Sequence, residues 1–379
     1  MTGREKILAA LSPQGTRHTP IIVCYSEIFM RDQWENVTDV PWWGMHSQDI
    51  DMAVQVHRDL LAVTGEDRVR LWMSAPRDDR RRYSIEGIDA ERAKRIDTVT
   101  GEVEELLRPP PGGFVSHGDE GWSRNRDFTS REQIDEALPL PPAETAESLA
   151  ADGRSDKPRR MLAEFGGEKM PWTQLPSPWD PLFKLWGYEG LLIACAEQPD
   201  LVEYACRRVV QCTLNRMATW KAAGVELIWI EEGASDQISP EQHRRLILPH
   251  MQDLTAALRE AGLKSLYYFT GNPNDRLDVL LASGADALSL EEGKKGYAID
   301  LGEIVRKVDG RMALVGNLDA MSLMEHGSDD EVRTAVARQL EAGRINGGRF
   351  LFGYGSPITP GTPVARVRMV ADTVHELAP

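Results

Sequence analysis

From residue 225 to residue 377 the chain repeats one pattern: a short β-rich run followed by a longer stretch of helical periodicity. Strands are expected at 225–230, 264–269, 285–290, 312–315 and 349–352. Each precedes a helix, at 239–261, 274–283, 301–308, 329–342 and 363–377. Ser239-Pro240-Glu241 shows the logic of these junctions, with Ser239 as N-cap and Pro240 at the first helical position, where no backbone N–H is needed. Strand-helix units of this length bury their apolar faces by laying helices on a parallel sheet. A closed (β/α)8 barrel and an open doubly wound sheet both satisfy that demand. No GxGxxG or GxxxxGK[ST] stands at a strand-to-helix junction, which removes the usual reason for the open sheet. The fold class expected is α/β, a (β/α)8 TIM barrel.

The N-terminal half is less regular. Residues 4–11 predict a helix capped by Thr2, and residues 20–23 a short buried strand. Residues 30–130 hold Trp34, Trp42 and Trp43, an arginine cluster (Arg77, Arg80, Arg81, Arg82) and a pair of strands around Thr100-Gly101. They read as an N-terminal capping insertion over one end of the barrel, inside a single domain spanning 1–379. Residues 138–157 are rich in Pro, Ala, Glu and Ser and read as an exposed connection. Residues 161–165 read as a strand, 171–181 as a proline-rich crossing, and 189–197 and 200–223 as helices, the second opened by Pro199-Asp200.

Charge narrows the partners. Fifty-nine acidic residues against 44 basic ones give a net charge of −15, and such a field repels phosphate backbones, so nucleic acid is not expected as a partner. No apolar run reaches the roughly 18 to 20 residues of a membrane span, and residues 1–20 lack the apolar core of a signal peptide. A cytoplasmic protein without membrane contact is expected. The four cysteines (Cys24, Cys195, Cys206, Cys212) form no CxxC pair and no disulfide framework.

In a barrel, chemistry collects where strands give way to the loops that follow them. Those positions carry Cys24, Tyr25 and Glu27; Glu231, Glu232 and Asp236; Tyr268, Thr270 and Asn272; Glu291 and Glu292; Asn317 and Asp319; and Tyr354 and Ser356. Any single carboxylate there has an ordinary explanation as a helix cap or a solvated group. Four glutamates at two junctions, joined by Asp236 and Asp319, are harder to explain that way. Such crowding raises carboxylate pKa values or demands a cation, which could be a metal, Lys294 or Lys295, or a charged ligand. None of the eight histidines belongs to an HxH or HExxH pair or stands at these strand ends; His243 and His250, seven residues apart on one helix, read as packing or surface residues and not as ligands. A Cys/His zinc site is therefore disfavoured, whereas a hard-ion site of Asp and Glu oxygens stays open. Of the ten tryptophans, Trp172, Trp179 and Trp186 are read first as packing of the crossing segment, and Trp229 as a pocket wall because Glu231 follows it.

The order of several short motifs resembles the uroporphyrinogen decarboxylase superfamily, which includes corrinoid- and coenzyme M-linked methyltransferases. Thr2 to Leu11 with Thr19-Pro20 is similar to its opening helix and first strand, and Ile238 to Pro249 to its "SPE" helix. Gly284-Ala-Asp286, Val315-Gly-Asn-Leu-Asp319, and Gly353-Tyr-Gly355 with Thr362-Pro363 follow in the family's order. The resemblance implies a (β/α)8 barrel and, as a modest expectation, a homodimer. The departures are equally informative. Where the decarboxylase carries an arginine-rich R-Q-A-G-R-Y loop, this chain reads Phe29-Met-Arg-Asp-Gln-Trp34, and no counterpart of the decarboxylase's catalytic aspartate follows the second strand. Where the zinc-dependent methyltransferases carry an H-x-C pair, this chain reads Tyr268-Phe-Thr270, and Tyr354 or Ser356 stands in place of the third ligand, a cysteine.

The substrate-side methyltransferases of the superfamily, which act on methoxy or amine compounds, are the relatives these departures leave. The function expected is a methyltransferase or demethylase acting on a small methylated substrate, cationic ones such as quaternary amines included, with a corrinoid protein or a tetrahydrofolate as acceptor. Glu231 and Glu232 would act as general acids, with Tyr268 and Tyr354 as the other catalytic groups, hydrogen-bonding the substrate. Tyr25, Glu27, Trp229, Asp236, Asn272, Glu291, Asn317, Asp319 and Ser356 would bind it. A decarboxylase or lyase of a small carboxylic acid is the second reading, and a small-molecule-binding protein without turnover the third.

Overall fold

The computed structural model describes residues 1–113, 127–293 and 296–378. Its strands in chain order are β1 (Ile21–Ile22), β2 (Arg68–Arg70), β3 (Tyr83–Gly87), β4 (Arg92–Asp97), β5 (Val103–Leu107), β6 (Met170–Pro176), β7 (Leu227–Glu232), β8 (Lys264–Phe269), β9 (Ala287–Leu290), β10 (Ala313–Val315) and β11 (Phe350–Gly353). Eight of these form one parallel sheet in the order β1-β11-β10-β9-β8-β7-β6-β2, while β3, β4 and β5 form a separate antiparallel sheet. The large sheet is a nearly closed (β/α)8 barrel, and the small one belongs to the capping insertion.

The barrel closes incompletely. Among the described residues no ladder joins β1 to β2; at the base, Asp67 N donates to Ile21 O at 2.8 Å and the Asp67 carboxylate accepts from Ile21 N at 2.9 Å. Above that point a side chain does the joining, as Arg68 Nη2 donates to Val23 O at 3.0 Å.

Alternation along the strands sorts residues into two layers. The inner layer holds Trp172, Leu227, Trp229, Leu266, Tyr268, Val315 and Leu351. Helix Gly3–Leu11 seals its base with Ile7, Ala10 and Leu11. Thr2 caps that helix in a reciprocal capping box with Glu5, which satisfies two otherwise orphaned N–H groups. Arg4 ties the same helix to Glu226, one residue before β7, at 2.7 Å. The outer layer, between strands and helices, holds Ile228, Ile230, Tyr267, Phe269, Leu288, Leu290, Phe350, Phe352 and Tyr354.

Three readings of the N-terminal half are corrected. Residues 161–165 are the last part of helix Asp156–Phe165, not a strand; Pro158 stands in its first turn, where a missing N–H costs nothing. The proline-rich crossing contains β6, because Pro171 and Pro176 lie near its two ends and interrupt little of the ladder. The stretch read wholly as capping insertion supplies β2, a barrel strand made of Arg68-Val-Arg70. The long helix expected after Ser239 is two helices, Pro240–Leu246 and Leu248–Glu260, broken where Pro249 enters. No helix among the described residues is long and apolar enough to cross a membrane.

Candidate active site

Strand alternation decides which polar groups meet. On β7, Trp229 and Glu231 face inward, and Ile230 and Glu232 face outward. The Glu231 carboxylate accepts hydrogen bonds from the Tyr25 phenol and from Gln174 Nε2. Gln174 Oε1 accepts from Arg70 Nη2 at 3.1 Å, and Arg70 Nη1 forms an ion pair with Glu27. One chain of contacts thus runs Tyr25, Glu231, Gln174, Arg70, Glu27 across β7, β6, β2 and the segment after β1. Tyr25 reaches Glu231 from a left-handed backbone at φ 50°, an uncommon conformation for an aromatic residue.

Below this chain, aromatic rings fill the barrel. Trp172 and Trp229 lie 5.8 Å apart, Trp229 and Tyr268 5.1 Å, and Tyr25 and Tyr268 6.3 Å. The Arg68 guanidinium sits 4.1 Å from the Trp172 ring centre and 4.9 Å from that of Trp229. It also pairs with the buried Glu66 at 2.7 Å. The Tyr268 phenol faces Cys24 and donates to Gly355 O at 3.1 Å. Asn317 Nδ2 donates to Glu291 O at 3.1 Å, which joins the segments that follow β9 and β10.

Burial shapes the electrostatics. It raises the Glu231 carboxyl above the usual carboxylate range, against the hydrogen bonds from Tyr25 and Gln174 and the charge of Arg70, with Glu291 adding a little in the same upward direction. The neighbouring Asp180 is raised much further by burial, although Gly233 N donates to it at 2.8 Å. The Tyr25 and Tyr268 phenols are pushed well up, first by burial. A carboxyl in this setting keeps its proton to higher pH than a solvated one does.

The structure therefore gathers Tyr25, Glu27, Trp229, Glu231, Tyr268, Glu291 and Asn317 from the sequence expectations. The others hold different contacts. Glu232 lies behind β7, where Ser235 Oγ donates to it at 2.6 Å and His243 Nε2 stands 3.3 Å away. Tyr354 packs in the outer layer with its ring 5.8 Å from that of Phe352, because it shares the parity of that outward residue. Asp319 caps the following helix by accepting from Met321 N at 3.0 Å and Ser322 N at 2.8 Å. Asp236 accepts from Asn272 N at 3.0 Å and ties two loops together. Ser356 donates to Glu292 at 2.6 Å. Lys294 and Lys295 lie outside the described residues.

Arg68, Arg70, Gln174, Trp172 and Asp180 were not anticipated in the site. The one available signal was the alternation Arg68-Val-Arg70, which puts two cations on one face of a strand. Met30, Arg68, Arg70, Trp72, Lys157 and Trp172 are among the residues enclosing a cavity of about 240 Å³ beside the unladdered β1–β2 slot. Glu27 and Arg70 belong both to that cavity and to the Glu231 chain. Tyr268 and Thr270, at the positions where the resemblance would put zinc donors, carry oxygens only; Thr270 Oγ1 donates to Glu232 O at 3.3 Å. Among the described residues, no three His, Cys, Asp or Glu side chains come together as a metal would need.

The sequence pattern of the family described as uroporphyrinogen decarboxylase (URO-D) matches residues 159–377. A uroporphyrinogen decarboxylase from Coxiella burnetii (strain RSA 493 / Nine Mile phase I) is 26% identical over 186 residues, 48% of this chain and 49% of the relative. That of Thioalkalivibrio sulfidiphilus (strain HL-EbGR7) is 30% identical over 158 residues, 41% of this chain and 43% of the relative. The chain thus spans about half the length of the curated relatives it matches. Among solved structures, a methyltransferase from Methanosarcina mazei superposes with a TM-score of 0.65 at 17% identity, covering 99% of both chains. That likeness shows a shared fold.

Proposed function

Because the chain belongs to the uroporphyrinogen decarboxylase family, we propose that it is a methyltransferase-like barrel enzyme, which demethylates a small substrate and passes the methyl group to a corrinoid protein or a tetrahydrofolate. The acceptor is a second substrate that supplies the nucleophilic atom. The bond between methyl carbon and substrate heteroatom breaks as the bond from that carbon to the acceptor forms. The bonding electron pair stays on the heteroatom, which takes a proton from Glu231. The observation that carries this reading is the inward Glu231 carboxyl, raised by burial and held by Tyr25 and Gln174 next to an apolar cavity. A general acid needs that combination of protonation and fixed aim.

Trp172 lines the cavity, and Gln174, the next inward residue on β6, touches Glu231, so a ligand lying along Trp172 would bring its far end to the acid. A volume of about 240 Å³ is far too small for a tetrapyrrole, which argues against the reaction in the curated relatives' name. Oxygen donors at Tyr268 and Thr270 do not suit a soft zinc site, and the reading uses none.

Decarboxylation of a small acid is the second reading, favoured by Arg68 and Arg70 on the cavity wall, which would hold a carboxylate. A binding protein without turnover is the third. Product analysis decides among them. The protein is incubated with methoxy- and methylamine-bearing compounds, with and without each acceptor, and with the corresponding acids. A demethylated product that appears only with acceptor supports methyl transfer. Released carbon dioxide without acceptor replaces it with the second reading, and tight binding with neither product replaces it with the third.

A further inference from the structure

We infer that the cavity beside the β1–β2 slot binds a small planar carboxylic acid, its ring between the apolar walls and its carboxylate on Arg68, Arg70 and Lys157. This deepens the proposed function, on which it rests, by naming the substrate class. The charge of the cavity is the first observation. Its lining holds four cationic side chains, Arg31, Arg68, Arg70 and Lys157, against two carboxylates, Glu27 and Glu66. Glu27 pairs with Arg70, Glu66 with Arg68, and Arg31 with Asp32 outside the cavity. Lys157 has no ion-pair or hydrogen-bond partner for its ammonium among the described residues. A half-buried cation with no partner, set in a largely apolar wall, is a ready counter-charge for an arriving anion.

Unused donors are the second observation. The Arg68 side chain is wholly buried, and its Nη1 has no hydrogen-bond partner among the described residues; the same holds for Arg70 Nε. Arg68 is clamped by Trp172, Trp229, Glu66 and Val23 O, so its remaining donor is fixed in place before any ligand binds. Preorganised donors of this kind, one on each of two guanidiniums, suit an anionic oxygen acceptor such as a carboxylate, which can take a charge-assisted N–H bond from each arginine.

Size and lining give the rest. A cavity of about 150 Å³ with apolar walls accepts benzene, so about 240 Å³ holds one ring with a few substituents. Trp72 and Trp172 offer flat faces, each already stacked on Arg70 at 3.9 Å and 5.0 Å, and Met30 and Met45 offer adaptable ones. The cationic substrate anticipated from the acidic strand ends does not suit this chamber, where it would meet the two arginines.

Calorimetry on the intact chain with benzoate, benzamide and benzyltrimethylammonium tests the assignment. Benzoate is expected to bind with a Kd of about 1 mM or tighter, and benzamide at least about tenfold more weakly, since it lacks the charge. Lys157→Met, at a half-buried helical position, should weaken benzoate about tenfold and leave benzamide within about twofold. Met45→Trp, which fills the chamber, should weaken both alike. The assignment is overturned if benzyltrimethylammonium binds as well as benzoate, if benzoate fails to bind the folded protein, or if Lys157→Met leaves benzoate unchanged. Glu231→Gln separates this from the parent reading. It should keep benzoate affinity within about threefold, so a fully active Glu231→Gln that still binds benzoate removes the acid and leaves the chamber.

Discussion

Glu231 and Glu232 are consecutive on β7 and point to opposite sides of it. The Glu231 carboxylate enters the barrel interior to meet Tyr25 and Gln174. The Glu232 carboxylate enters the layer between strand and helix, where Ser235 and His243 surround it. A strand with a period of two permits no other outcome for adjacent residues. The pair therefore divides, with one carboxyl facing the interior, where the proposed chemistry would take place, and the other joining β7 to helix Pro240–Leu246.

Glu231→Gln keeps the size of the side chain, and its amide can still accept from Gln174 while donating to the Tyr25 oxygen, but it has no acidic proton to give. Turnover should fall by about 100-fold or more, as expected for loss of a general acid, while the melting temperature moves by no more than about 2 °C. Steady-state kinetics beside thermal melts checks this, and unchanged turnover would remove the proposed role.

The protonated form of Glu231 is the working one, so turnover should decline as pH rises through its raised pKa. The Tyr25 hydrogen bond opposes that rise by favouring the carboxylate. Tyr25→Phe should therefore shift the alkaline limb of the pH–rate profile to higher pH. A limb that moves lower, or stays in place, contradicts the assignment of that limb to Glu231.

The outward pair makes a separate prediction about stability. Burial pushes Glu232 up to about 7 and His243 down to about 3. For Glu232 the folded state holds a proton that the unfolded chain releases, so its contribution is present below the ordinary value of 4.5 and is lost as pH rises through about 7. For His243 the unfolded chain takes up a proton that the folded state refuses, so stability is lost as pH falls from 6.5 towards about 3. Between 4.5 and 6.5 the two slopes oppose each other. Glu232→Gln removes one of them, and stability of the variant should then rise with pH across that window, by up to about 1.4 kcal/mol per pH unit. Denaturant melts at several pH values read this directly. Turnover of the variant should stay within about threefold of the parent, which separates Glu232 from Glu231.

Tyr354 packs behind β11 against Phe352, and among the described residues no hydrogen bond or ring contact joins it to the Glu231 chain. Tyr354→Phe should leave turnover within about twofold and cost less than about 1 kcal/mol. A large loss of activity would require the ring to reach the interior and would contradict this placement.

Gly355 is a different matter. A Cβ there would overlap the Glu292 backbone N and carboxylate, and the Gly355 carbonyl is the acceptor of the Tyr268 phenol. Gly355→Ala should cost about 1–3 kcal/mol through overpacking. Because the displaced carbonyl releases Tyr268, it should also lower turnover at temperatures where the variant is still folded. Melts and kinetics on one preparation measure both effects.

The C-terminal half of the fold was legible because each of its strands is short, continuous and followed by a well-marked helix; β8 and helix Leu301–Val308 match the expected spans residue for residue. The N-terminal barrel strands were not. β2 reads Arg-Val-Arg, since its inward face carries guanidiniums in place of apolar side chains, and hydrophobic periodicity cannot register such a strand. β6 is bracketed by prolines that mimic a crossing. The candidate site was half legible for a related reason. Strand ends flag polar residues without saying which face each takes, so Glu231 and Glu232 looked alike until the parity of β7 was known. The arginines escaped notice because the strand bearing them did.

The missing ladder between β1 and β2 leaves one seam in an otherwise continuous ring of staves among the described residues, and the cavity of about 240 Å³ lies at that seam. Met30, Met45 and Trp72, which give the chamber its outline, belong to segments outside the ring. On the proposed reading, swapping a few side chains of the covering segments would change what the cavity admits while the residues around Glu231 stay as they are. Selection for a new compound and selection for a sound scaffold then act on different residues.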